Sequence, residues 1–354
     1  MSQSTKKNIA EVDKNLAVET NIDREGLYFM DAESTPFKIY GVFKENGMFR
    51  RMPEEIARSV SEGVYTLHTH AAGGRVRFIT DSPYVAIKTD YKPEKMPHFA
   101  LTGSAGFDMY SDSDGESRYE GTFVPPFDVD CEYESIIDFP EQKERIITIN
   151  FPLYSTVQKL YIGLKDGCVL KEAPQYKIEK PIVYYGSSIT QGGCASKPGS
   201  SYQSILSRRF DCNYVNLGFS GNAKGEDNMT DYIKGLDMRL FVLDYDYNAP
   251  STEHLQATHQ RMFQAIRKVQ PDLPILILPR PKYYLTAVEQ ERHEIIYHTY
   301  ATAKEQGDKN VYFLSGRQLM QTILDNGTVD NCHPTDSGFY SMAGAIEEIF
   351  KDIL

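Results

Sequence analysis

Apolar and polar positions follow two different rhythms along this chain, and the change comes near residues 171–180. From residue 27 to about 170 they alternate with a period of two, in short runs bounded by Gly, Pro and Asp. The stretch VYTLHTHAAGGRVRFITDSPYVAIKTDYK alternates on both sides of Gly73-Gly74, and MYSD, RYEGTFV, RIITINFPL and KLYIGL follow as further strands. Short strands separated by turn residues at this spacing predict an antiparallel, jelly-roll-like β-sandwich, with MPEEIARSVSE (52–62) as its one helix.

Beyond Lys171, strand-length apolar runs alternate with amphipathic stretches of helix length. PIVYYG, YVNLG, RLFVLDYDY, PILILP and VYFLS read as strands. SYQSILSRRF, DNMTDYIKG, THQRMFQAIRKVQ, residues 287–306 and a terminal stretch from about Gly338 read as helices. That alternation predicts an α/β unit, a flavodoxin-like parallel sheet sandwiched by helices. The expected segments are a polar arm at 1–25 with one frayed helix, a β-sandwich accessory domain at 26–175 and an α/β domain at 176–354. The seam between the last two, KEAPQYKIEK, is charged and contains a proline.

Composition narrows the function. The 354 residues carry a net charge of −11, with Lys and Arg scattered rather than striped, which argues against a nucleic-acid partner. The five cysteines are odd in number and lack CxxC or close Cys–His spacing, so free thiols are expected. No run approaches the ~20 apolar residues of a membrane span, and the polar start has no signal-like core. Cytoplasmic residence is expected of the sequence as written, and secretion if a leader has been removed. Oligomeric state stays open.

In an open parallel sheet, reacting groups collect at the carboxyl ends of the strands. Those ends read GSSITQG (186–192), NLGFSGN (216–222), DYDYNAP (244–250) and PRPK (279–282), and the loop before the terminal helix reads VDNCHPTD. In that order GSSITQG, NLGFSGN, the Asn of DYDYNAP and DNCHP resemble the four sequence blocks of the SGNH (GDSL-type) hydrolase superfamily. GSAGFDMY (103–110) resembles the GxDLY signature of an N-terminal β-domain found with some of these hydrolases. Carried over position by position, the resemblance implies Ser188 as nucleophile, His333 as base and Asp330 as its orienting acid. It implies an oxyanion site from the N–H groups of Ser188 and Gly221 and the side chain of Asn248. A serine hydroxyl needs such a base near neutral pH, and a tetrahedral oxyanion needs such donors. Two positions depart from the family pattern. Ser187 stands where an aspartate is usual, and the third block reads Asp246-Tyr247-Asn248-Ala249, which brings a carboxylate near the expected oxyanion site.

The resemblance implies a serine esterase acting on short acyl esters, acetyl above all, on a small molecule or oligosaccharide, without cofactor or metal. A lipid or thioester acyl hydrolase is the alternative within catalysis, and an inactive glycan-binding protein is the alternative outside it. Arg280, Lys282 and Tyr247 are candidates for substrate contact. Arg280 and Lys282 could equally form a solvated rim. His68 and His70 alternate on an expected strand, which is ligand-like spacing, but no third ligand is nearby and an ordinary sheet face is expected. Cys332 adjoins His333, yet neighbouring side chains on a loop point apart.

Overall fold

The computed structural model describes residues 18–113 and 116–354. Most of the expected N-terminal arm, with its frayed helix, therefore lies outside the described residues. Residues 18–25 run along the edge strand Glu132–Asp138, tied by Asn21 N to Glu134 (2.6 Å) and by the Arg24–Asp138 ion pair (2.6 Å).

Two antiparallel sheets follow. One has the order Leu27–Asp31, Thr156–Lys165, Tyr84–Lys92, Glu132–Asp138. The other is built on Arg75–Thr80, Arg145–Asn150, Phe107–Ser113 and Glu116–Phe123. Val76, Phe78, Ile147 and Ile149 of the second sheet meet Val85, Ile87, Leu160 and Ile162 of the first in one apolar core, as period-two patterning requires. Two expectations are overturned here, and the first is the single helix of the β-half, since Glu54–Val60, Glu62–Leu67 and Leu101–Ser104 are all helical. VYTLHTH is not a strand, because Glu62–Leu67 is a helix, capped by Ser61 Oγ, which accepts from Val64 N at 3.2 Å. The short run VYTL satisfies a helical reading as well as an alternating one, since Val64 and Leu67 are three apart. This helix and its predecessor Glu54–Val60 pack Ala57 and Val64 against Met229 and Ile233 of the α/β half.

The second half is a five-stranded sheet, parallel throughout, with the order Cys212–Gly218, Ile178–Gly186, Leu240–Asp244, Ile275–Ile277, Val311–Phe313. Consecutive residues of the second strand in that order serve opposite faces. Ile182 and Tyr184 pack against the helices Tyr202–Phe210 and Asp336–Ile353, whereas Val183 and Tyr185 pack against Asp227–Lys234, Thr252–Val269 and Ala287–Glu305. Burial on both faces explains why these strands read as continuous apolar runs. The strand order is that of flavodoxin-like folds, and reacting groups belong at the carboxyl ends of its strands. No helix among the described residues is long and apolar enough to cross a membrane.

Buried polar groups join the two halves. Asp108 of GFDMY accepts from Asn150 Nδ2 and from Gly199 N, both at 2.7 Å, and has no exposed surface. Burial raises its carboxyl to about 6 against the opposing effect of those two donors. Arg51 donates to the Asn216 carbonyl (3.1 Å) and the Gly218 carbonyl (2.5 Å), closing the carboxyl end of Cys212–Gly218. Gly63 is glycine because a Cβ there would lie 1.9 Å from Asn222 Oδ1.

Candidate active site

The strand Ile178–Gly186 runs out at a glycine with no room for a side chain, since a Cβ on Gly186 would come within 2.1 Å of the Asp244 carbonyl oxygen. The chain then turns into the short helix Ser188–Gln191, for which Ser187 is the N-cap, its Oγ accepting from Ile189 N at 3.2 Å. Serine and aspartate serve about equally well at an N-cap, so the departure at Ser187 preserves its local function. Gly192 ends the helix in the left-handed region, with φ of 100°.

Ser188 is therefore the first residue of a helix at the end of a central strand. Its Oγ lies 2.9 Å from His333 Nε2. His333 Nδ1 lies 2.8 Å from Asp330 Oδ2, and Asp330 Oδ1 accepts from the backbone N–H groups of His333 (2.8 Å) and Cys332 (3.1 Å). Asn331, at φ of 64°, closes this turn, and Val329 N donates to the His333 carbonyl at 2.8 Å. Burial opposes ionisation of Asp330. The His333 N–H, the His333 ring and the Cys332 N–H outweigh it and hold the carboxyl below its ordinary range. An ionised Asp330 accepts only, so His333 Nδ1 carries the ring proton and Nε2 is left to accept the Ser188 hydroxyl. Burial raises the Cys194 thiol to about 12 and the Cys332 thiol to about 11, so neither competes as a thiolate nucleophile near neutral pH. All five cysteines are free thiols.

Gly221 occupies the third position of a turn closed by Asn222 N donating to the Phe219 carbonyl (2.8 Å), and its φ of 70° is what that position demands. This turn is held to the helix of Ser188 by Gln191, whose Oε1 accepts from Ser220 N at 3.1 Å. Gln191 Nε2 in turn reaches His70 Nδ1 (3.1 Å) and the Leu153 carbonyl (3.2 Å), both from the N-terminal half. Asn248 Oδ1 accepts from Ala223 N at 3.3 Å, which fixes its amide so that Nδ2 is the free donor end. Two hydrogen bonds, Ser220 N to Gln191 Oε1 and Ala223 N to Asn248 Oδ1, thus tie the segment 219–223 that carries Gly221 to the helix of Ser188 on one side and to Asn248 on the other.

The Asp246 carboxylate is turned into the protein and fully engaged. Its Oδ2 accepts from Arg280 N (3.0 Å) and Nε (2.8 Å), and its Oδ1 from Arg280 Nη2 (3.0 Å) and Arg292 Nε (2.9 Å). Burial would raise this carboxyl, but the two guanidinium groups keep it below its ordinary range. Arg292 also donates to the carbonyls of Asp246 and Ala249, clamping the turn Asp246–Asn248 that presents Asn248. Arg280 is 9 % exposed and spends its donors on Asp246 and Glu289, and Lys282 bonds Glu289 Oε1 at 2.9 Å. The structure therefore commits both cations to an internal cluster rather than to an open rim. Tyr247 packs its ring under Arg280, with the guanidinium 4.4 Å from the ring centre. The sequence reading missed Arg292, whose signal is a cation on the buried face of an otherwise amphipathic helix.

His68 and His70 do not share a strand face. His68 caps the helix Glu62–Leu67 and contacts Arg50 Nη1 through Nε2 at 2.6 Å, while His70 faces Gln191. Burial lowers His70 to about 3, so it is neutral and accepts from the Gln191 amide. Tyr154 donates to the Ser188 carbonyl at 3.3 Å. Beside these residues a recess of about 380 Å³ opens between the halves, lined by Thr66, Leu67, His70, Glu94, Met96 and Tyr154 on one side and by Ser220 and Asn222 on the other.

Comparison with known proteins agrees with the fold. No curated protein matches the chain. Among solved structures, a Bacteroides ovatus ATCC 8483 protein assigned as a GDSL-like lipase superposes with a TM-score of 0.83 at 26% identity, covering 92% of this chain and 98% of that one. The salicylyl-acyltransferase SsfX3 from a tetracycline biosynthetic pathway superposes with a TM-score of 0.74 at 19% identity, covering 93% and 98%. A family two carbohydrate esterase from Cellvibrio japonicus gives 0.58 at 12% identity, covering 92% and 98%. Residues 27–170 match the GxDLY family, described as the N-terminus of SGNH-hydrolase-type esterases, and residues 179–351 match the GDSL-like lipase/acylhydrolase family. The chain belongs to the SGNH (GDSL-type) hydrolase superfamily, as a carboxylic ester hydrolase whose α/β half follows a GxDLY β-domain.

Proposed function

We propose that this protein hydrolyses short acyl esters, acetyl esters above all, on carbohydrates, through an acyl-enzyme on Ser188. In the first step Ser188 Oγ attacks the ester carbonyl while its proton passes to His333 Nε2. The tetrahedral oxyanion is held by the N–H groups of Ser188 and Gly221 and by Asn248 Nδ2. Its collapse breaks the ester C–O bond, and His333 gives the proton to the departing alcohol. Water then repeats the sequence on the acyl-enzyme and releases the acid. Asp330 holds the imidazole in the required tautomer and stabilises its cationic form. Residues 26–175 act as an accessory domain that walls the substrate recess, and 176–354 carry the chemistry.

The observation that carries this reading is the chain of contacts from Ser188 Oγ to His333 at 2.9 Å and from His333 to Asp330 at 2.8 Å. The compact recess beside Ser220, where Thr66, Glu94 and Asn222 alternate with Leu67 and Met96, supports a small substrate with both polar and apolar surface. The carbohydrate esterases among the structural neighbours support a sugar as the alcohol. The test is hydrolysis of p-nitrophenyl acetate by wild type and Ser188→Ala, followed by an acyl series from acetyl to octanoyl and by acetylated oligosaccharides. Equal rates for the two proteins would overturn the nucleophile, and preference for octanoyl would move the substrate to lipids. Glycan binding that survives Ser188→Ala with no ester turnover at all would make the protein a lectin-like binder.

A further inference from the structure

We propose that the active site also contains a regulatory zinc site, formed by His98, Cys194 and His333, at which the ion blocks the esterase by capturing the histidine that serves Ser188. The inhibitory half of this inference rests on His333 being the catalytic base, and the binding half does not. One nitrogen of each imidazole and the Cys194 sulfur all lie within 4.8 Å of one another. The three residues come from three separate segments: a loop of the β-half, the turn after the nucleophile helix and the loop before the terminal helix. The His98 and His333 rings face each other with centroids 5.6 Å apart at an angle of 50°.

Two sulfur- or nitrogen-bearing side chains often meet by chance, but the supporting features here are specific. His333 Nδ1 is already bonded to Asp330 at 2.8 Å, so Nε2 is the nitrogen available to an ion. A carboxylate behind a ligating imidazole is the arrangement that orients histidine ligands in zinc proteins. Cys194 is held in the left-handed region at φ of 73°, directly after Gly192 and Gly193, and a Cβ on Gly193 would lie 3.4 Å from His333 Cδ2. The chain thus turns sharply to put a cysteine, a residue that rarely adopts this conformation, against the catalytic imidazole.

Two imidazole nitrogens and one thiolate are a donor set for zinc, with a fourth position left for water. Tetrahedral coordination at ordinary Zn–N and Zn–S lengths needs donor separations of about 3.4–3.6 Å, so donors that lie within 4.8 Å of one another draw together by at most about 1.4 Å. The exposed His98 can make that movement. Coordination occupies the Nε2 lone pair that otherwise accepts the Ser188 proton, and the Cys194 thiol gives its proton to solvent as the Zn–S bond forms.

The test has two readouts. Metal-free protein is titrated with Co2+ and followed by the thiolate-to-metal absorption, and p-nitrophenyl acetate hydrolysis is followed during titration with Zn2+. The expected result is cobalt–thiolate absorption with one ion per chain and at least tenfold loss of esterase rate with Zn2+, restored by EDTA. In His98→Ala and Cys194→Ser the basal rate is expected to stay close to wild type while the Zn2+ concentration for half inhibition rises at least tenfold. Absence of the cobalt–thiolate absorption in wild type overturns the site, as does its loss in Cys332→Ser but not in Cys194→Ser. Equal Zn2+ sensitivity of wild type and His98→Ala also overturns it, and that exposed variant tests the site should Cys194→Ser fail to fold. A Ser188→Ala protein that keeps full esterase activity refutes the catalytic reading alone, because the cobalt spectrum reports the ligands directly.

Discussion

Gln191 Oε1 accepts from Ser220 N at 3.1 Å and so fastens the helix that begins with Ser188 to the turn that holds Gly221. The amide end of the same side chain is held by His70 and Leu153. One side chain thereby joins the helix of the candidate nucleophile, the turn of a candidate oxyanion donor and the N-terminal half.

Gln191→Ala is expected to lower kcat by about 10- to 100-fold, because a donor displaced by even 1 Å loses much of its value in the transition state. Steady-state kinetics checks this, with KM changed far less than kcat and far-ultraviolet circular dichroism unchanged. Loss of kcat and KM in parallel with lost helicity would assign Gln191 to folding instead.

Asp330→Asn is expected to keep the loop, since the amide oxygen can still accept from the N–H groups of Cys332 and His333. Its NH2 would then face His333 Nδ1 and force the ring proton onto Nε2, the atom that must accept from Ser188. A fall of about 10⁴ in kcat is expected, as in other serine triads. The check is kcat together with the thermal midpoint, which should move little.

Asn248→Ala removes the one side-chain donor of the candidate oxyanion site, and a loss of about 10²–10³ in kcat is expected. Arg280→Ala should act differently. It leaves the buried Asp246 with one of its two cations, a loss expected to cost about 3–5 kcal/mol of stability. Urea unfolding measures that cost. A substrate-binding Arg280 would instead raise KM and leave stability alone.

Asp244, at the end of Leu240–Asp244, supplies a pH test. Its carboxyl is raised to about 7, chiefly by burial, and Oδ2 accepts from Thr190 Oγ1 (2.9 Å) and Tyr202 OH (3.1 Å). The folded state binds this proton more tightly than the unfolded chain does. The contribution is therefore fully present below about pH 4 and lost as pH rises through about 7. Asp244→Asn keeps an acceptor for both hydroxyls and never ionises. Its stability relative to wild type is expected to improve by about 2–3 kcal/mol between pH 5 and pH 8, measured by urea unfolding at each pH. A constant difference would mean that Asp244 titrates alike in both states.

The parallel sheet was legible because its strands are buried on both faces and its helices carry apolar stripes, so each element announces itself locally. The helix Glu62–Leu67 was not, because a few apolar residues fit either period and its docking against Met229 and Ile233 lies far away in sequence. The strand Glu132–Asp138 was missed for a related reason: its residues are mostly half-buried and show little alternation. Arg280 and Lys282 read as a possible rim because a cation at a strand end is normally solvated, and nothing local shows that Asp246 and Glu289 lie beneath them.

What the sequence determined by itself is the order of chemistry along the chain: a serine after a strand, a glycine turn, an asparagine and an Asp-x-x-His loop, each fixed by local turn requirements. What only the tertiary structure decided is which atoms meet. The 2.9 Å contact between Ser188 and His333 spans 145 positions. The clamp of Arg280 and Arg292 on Asp246, and the approach of His70 and His98 to the site, depend on packing between elements remote in sequence. Local propensity reaches only a few residues along the chain, whereas these contacts are set by burial of two cores against each other.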